Sequence, residues 1–203
     1  SGAKSRHAEL ALCPAQRSAM IYLLLETRTT ALPRVVATAR AMEGVDLVMW
    51  LAEDGRAQIG SERGELSFAP GDDVADARGR RWTVGGELDT LLASVEDGVL
   101  HCDHYPDALA RVWAALQCPT SGDVLLSAEP AYEFPDWGRR AHVRGGSHGS
   151  LHRVDSLGAL LFCGVEAPPE RVDGCWSIAD IAPMVLGHFG AKAVSGRHGA
   201  KAG

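Results

Sequence analysis

The chain has 203 residues, 46% of them hydrophobic, enough for one domain with a sizeable core or for part of a larger one. Its 20 Lys and Arg stand against 26 Asp and Glu, a net charge of −6, so neither nucleic acid nor an anionic membrane surface is a natural partner and any anion site must be local. The five cysteines, at 13, 102, 118, 163 and 175, contain no C-x-x-C pair, which argues against a disulfide framework and a cysteine zinc site and fits a reducing, cytoplasmic setting. No apolar run approaches the roughly 20 residues that span a bilayer, and the N-terminus has no signal-peptide core.

Residues 1–17 are polar and unpatterned, and 191–203 are rich in Gly, Ala and Lys without a burying face, so both ends are expected to be disordered. Between them, 18–190 reads as a single α/β domain or as the C-terminal part of a larger one. Ala19 to Leu25 is a strand candidate, Pro33 opens a helix running to about Met42, and Val45 to Leu51 is a second strand that completes a β-α-β-like passage. Short pieces with turn punctuation follow at Glu53-Asp54-Gly55, Gln58 to Gly60 and Gly64 to Phe68, and these read as edge hairpins. Asp72 to Arg81 reads as a charged loop, Trp82-Thr83-Val84 as a brief strand, and Gly86 to Leu92 as a short helix. Pro106 begins a firmer helix with Leu109, Val112, Trp113 and Leu116 on one side, ending before Pro119. Val124 to Ser127 is a further core strand, and Leu157 to Cys163 a short apolar run of strand length ending at Gly164. The last helix starts near Asp180, with Pro183 in its first turn and Ile181, Val185, Leu186 and Phe189 on its buried side. The fold class is α/β, a mixed sheet flanked by helices with a hairpin-rich insertion.

The densest chemistry lies in Ala141 to Gly164, AHVRGGSHGSLHRVDSLGALLFCG. Gly145, Gly146 and Gly149 frame Ser147 and His148, and such a loop permits close backbone approach. Arg139, Arg140, His142 and Arg144 converge on it, with His152 and Arg153 behind, so the loop suits an anion. A glycine-framed histidine there is a metal or phosphate position.

With those residues in view, GGSHGSLHRVDSLGALLFCG followed by WSIADIAPMVLGHFG resembles the C-terminal part of the alkaline phosphatase superfamily, nearest its type I phosphodiesterase and nucleotide pyrophosphatase branch. The likeness covers about 45 residues directly, carried by Gly146-Ser147-His148-Gly149 and Asp180-Ile181-Ala182-Pro183. It implies the C-terminal part of an alkaline phosphatase-like core and a metal-dependent hydrolase of phosphate esters. His148 would be one ligand of a two-metal site, with zinc the first choice of divalent ion, because a neutral imidazole on a stiff loop supplies one fixed ligand. The nucleophile, the other Asp and His ligands and the Asp-His-Gly segment that the family requires have no counterpart here. The resemblance therefore implies a partner, the missing N-terminal half of the catalytic core, and an inactive chain in isolation, with homo-oligomerisation a further outcome of an incompletely covered sheet. Val99 to Tyr105 imitates a strand followed by Asp-His, with Tyr105 in the place of Gly; Asp103 or His104 near the cap of the helix that Pro106 opens is its plainer reading.

Two other readings attach to the same loop. One is a non-catalytic domain of the same fold that binds an anion or a partner surface. The other is a serine hydrolase, because Gly145-Gly146-Ser147-His148-Gly149 satisfies G-x-S-x-G, with Asp155, Asp173 or Asp180 and then His188 in triad order.

Overall fold

The computed structural model describes residues 9–24, 28–135, 146–165 and 176–191. The chain divides into two compact units, Ser1–Ala159 and Leu160–Gly203, where the sequence reading draws one domain over 18–190. No helix among the described residues is long and apolar enough to cross a membrane.

The first unit holds β1 (Leu10–Ala15), β2 (Ser18–Leu23), α1 (Arg28–Arg40), β3 (Val45–Leu51), β4 (Ala57–Ser61), β5 (Gly64–Asp76) and β6 (Arg81–Gly86). A 3₁₀ turn at Leu88–Leu91, β7 (Ser94–Glu96), β8 (Val99–His101), α2 (Ala108–Leu116), β9 (Val124–Ala128) and a one-turn α3 (Arg153–Ser156) follow. The strands form one open mixed sheet of nine, ordered β1-β2-β9-β3-β4-β5-β8-β7, with β6 also paired to β5. The fold is thus α/β, with helices on a mixed sheet.

Alternation along the central strands decides which helix each face receives. On β9, Val124 and Leu126 pack with Val48 of β3 and with Val36 and Ala39 of α1. The intervening Leu125 packs with Met49 of β3 and with Leu109, Val112 and Leu116 of α2. Because neighbouring strand residues point to opposite faces, α1 and α2 cover opposite sides of the sheet. β2 and β3 both run antiparallel to β9, which lies between them, so α1 is the crossover of the expected β-α-β-like passage.

Three expectations change. Residues 10–15 are not an unstructured end but β1, an edge strand whose backbone pairs with β2 from Leu10↔Leu23 to Ala15↔Ser18. The segment itself, LALCPA, is apolar, with Leu12 packed against the α1-side core, and an edge position tolerates its Pro14. The antiparallel hairpin expected over 58–68 forms, as β4 with β5, but inside the sheet and not at its edge, and β5 continues through Pro70 and Gly71 into the expected charged loop as far as Asp76, by a register shift between Pro70 and Val74 opposite Trp82. Bulges of this kind let a strand carry Pro and Gly without ending, so this region is a continuous part of the sheet. Finally, Leu157 to Cys163 forms no strand and has no ladder partner among the described residues.

The second unit contributes α4 (Ile178–His188). Its N-cap is Ser177 and not Asp180: the Ser177 hydroxyl accepts from Ala179 N, and the Asp180 carboxylate accepts from Ser177 N at 2.8 Å, a capping box. The expected buried side is absent, since no residue of α4 is buried. The Phe162 and Trp176 rings meet at a tilt, centroids 5.4 Å apart, within this unit.

Candidate functional site

The His148 loop is built on the β1–β2 turn. Gln16 takes a left-handed conformation there (φ 60°), which turns the chain tightly and leaves its side chain and the Arg17 backbone facing the loop. Arg17 N donates to the His148 carbonyl at 3.2 Å, and His148 N donates to Gln16 Oε1 at 3.3 Å. Both backbone groups of His148 are thereby fixed, while its side chain is exposed and makes no hydrogen bond among the described residues. Gly149 is required next to it. Its φ is +113°, and an added Cβ would sit 3.3 Å from both the Ala15 carbonyl and Ser18 Oγ.

A buried ion pair locks the same loop from below. Arg17 Nη1 lies 2.5 Å from Asp155 Oδ1, with the two side chains 8% and 3% exposed. Arg17 Nη2 donates to the Glu129 carbonyl, and the second Asp155 oxygen accepts from Ser150 N at 3.0 Å. Leu151 N donates to Ser127 Oγ at 2.9 Å, tying the loop to the end of β9. Arg153 N donates to the His104 carbonyl at 2.8 Å, tying α3 to the segment before α2. The loop is therefore held by partners from β1–β2, β9 and the approach to α2. Within it, Ser147 Oγ and Ser150 Oγ are buried without a hydrogen-bond partner among the described residues.

A second polar cluster adjoins α3. Asp46 is buried at a bulge in β3, between Val45, which faces α1, and Leu47, which faces α2. The Tyr105 hydroxyl lies 2.9 Å from both Asp46 oxygens, and Arg63 Nη2 donates to Asp46 at 3.2 Å and to Tyr105 at 2.9 Å. Burial, reinforced by the negative charge of Asp46, raises the Tyr105 pKa well above its ordinary value, so the phenol stays protonated. The His152 ring packs edge-on to Tyr105 at 5.7 Å and lies 6.1 Å from His104. Desolvation, with the positive neighbours His104 and Arg17, lowers the His152 pKa against the opposing pull of Asp46 and Asp155. His152 Nδ1 accepts from Val154 N, so this residue caps α3.

The structure sorts the sequence candidates. His148 is displayed, but Asp155 does not orient its ring, being committed to Arg17 and Ser150. For the serine reading, Ser147 is followed by residues without regular structure and not directly by a helix, Asp155 is committed elsewhere, and Asp180 serves the α4 cap. Asp173 and the cations Arg139, Arg140, His142 and Arg144 lie outside the described residues. The plainer reading of 103–104 needs one correction, because the cap of α2 is Asp107 (φ 59°). No group of three His, Cys, Asp or Glu among the described residues is arranged to hold a metal ion. Sequence reasoning missed Arg17 and Asp46. The signal for Asp46 was visible, a carboxylate inside the apolar run VDLVMWL, since a buried charge in a strand demands a partner. Nothing local marked Arg17.

Comparison with protein-family models, curated proteins and solved structures gives no match.

Proposed function

We propose that this chain is the C-terminal portion of an alkaline phosphatase-like, metal-dependent phosphodiesterase or phosphatase, in which His148 supplies one ligand to a divalent metal, zinc first. The observation that carries the reading is the display of His148: its backbone is fixed at N and O while its ring faces outward with no partner among the described residues. A ligand held in this way needs little reorganisation on binding. The Ser147 and Ser150 hydroxyls beside it, without a hydrogen-bond partner among the described residues, suit a site that is completed by other groups. The remaining ligands and the nucleophile come, in this reading, from an N-terminal half of the same core, and the substrate is a small phosphate ester.

A second reading, a non-catalytic anion- or partner-binding domain of the same fold, is favoured by the lack of a three-residue metal group among the described residues. One experiment separates them. In a longer polypeptide that carries this chain in its natural reading frame, the first reading expects zinc-dependent hydrolysis of bis-p-nitrophenyl phosphate. His148→Ala should abolish that hydrolysis with unchanged thermal unfolding, and the chain alone should be no faster than buffer. Activity and zinc content untouched by His148→Ala would sink it.

A further inference from the structure

A further cavity borders the His148 loop, with Ser127, Gly149 and Leu151 in its wall. It is a groove of about 350 Å³ between α2 and the β1–β2–β9 part of the sheet, on the face opposite α1. Its walls are mostly apolar: Met20, Met49, Leu125, Val112, Ala115 and Leu151 among them. One charged group, Arg111, lines it. Arg111 Nη1 donates to the carbonyls of Pro106 (3.0 Å) and Leu151 (3.2 Å) and to Ser156 Oγ (2.8 Å), all neutral. Among the described residues no carboxylate pairs with this guanidinium, and its Nη2 and Nε carry no hydrogen bond. Every other arginine cation described in the two polar clusters has its carboxylate: Arg17 has Asp155 and Arg63 has Asp46.

We propose that this groove is a binding site for an amphiphilic monocarboxylate, its hydrocarbon tail lying along Met20, Met49, Leu125 and Ala115 and its carboxylate on the free edge of Arg111. The argument is one of charge and surface. A half-buried cation without a counter-ion is disfavoured, which agrees with burial lowering the Arg111 pKa, and one entering carboxylate compensates it. The planar guanidinium offers two parallel donors to two carboxylate oxygens, the geometry in which arginine is strongest. The groove falls in the range of about 300–1,000 Å³ typical of small-molecule sites, with an apolar lining and few polar groups. A phosphate dianion would bring a second charge that nothing in the groove offsets. This inference is independent of the metal reading of His148.

The test uses octanoate, below its micellar concentration, titrated calorimetrically into the full chain. Saturable binding is expected, with octylammonium and inorganic phosphate giving none. Arg111→Gln should weaken octanoate at least about tenfold. Since Arg111 also supports Leu151 and Ser156, Met20→Glu provides the second arm: Met20 is 39% exposed, so the fold tolerates the change, and the added carboxylate should repel octanoate to a similar degree. Equal binding of octylammonium, or octanoate binding indifferent to Met20→Glu, would reduce the groove to a nonspecific apolar surface and overturn the proposal. Absence of octanoate binding, with Met20→Glu converting a dimer to a monomer in sedimentation, would overturn it in favour of a contact between copies of this chain.

Discussion

Residues 146–156 and 157–165 follow one another along the chain and behave in opposite ways. The first stretch is polar, with two glycines, three serines, two histidines and an aspartate, yet Ser150, Leu151 and the Asp155 carboxylate are buried. The second is apolar, yet Leu157 is 59% exposed and Leu161 89%. Burial in these two stretches thus follows the partners available and not hydropathy. Asp155 enters the interior because Arg17 and Ser150 N satisfy both of its oxygens. Leu157 to Cys163, by contrast, finds no ladder partner among the described residues.

The comparison is broken most directly at its buried side. Asp155→Ala leaves the Arg17 guanidinium buried without its counter-ion and releases Ser150 N, and a loss of about 3–5 kcal/mol is expected in urea unfolding. A loss under about 1 kcal/mol would mean that the ion pair does not hold the loop.

A smaller effect comes through pH at His152, on the edge of the clamped stretch. Its folded pKa is lowered from the ordinary 6.5, with desolvation the first cause. Below that ordinary value the unfolded chain binds a proton that the folded chain refuses, so the contribution is full above about 6.5 and is lost as pH falls towards the folded value. Replacing His152 by Asn, which also caps helices, removes this dependence. The wild-type midpoint in urea should therefore fall relative to that of His152→Asn between about pH 7.5 and about pH 5.5. Parallel curves would place the pH sensitivity elsewhere.

The smallest effects sharpen the contrast. Leu161→Ser and His148→Ala both alter exposed side chains and should change stability by no more than about 0.5 kcal/mol. The leucine change should in addition lower self-association, measured by sedimentation, if its exposed surface is sticky. A destabilisation near that of Asp155→Ala from either one would show a buried role that the exposure of these residues does not indicate.

The sequence by itself determined the elements whose pattern repeats locally. β3, α2 and β9 lie where apolar spacing places them, because a buried strand or an amphipathic helix writes its environment into neighbouring residues. The glycine-framed presentation of His148 was legible too, since Gly149 adopts the conformation that glycine favours. Tertiary structure alone decided that Gln16 and Arg17 would anchor that loop, across 138 residues between Arg17 and Asp155. It also decided that Asp46 would find Tyr105 and Arg63, that β1 would join an edge, and that the apolar run after α3 would form no strand. Each of these depends on a group supplied by a distant segment, and a local pattern carries no record of who the partner is.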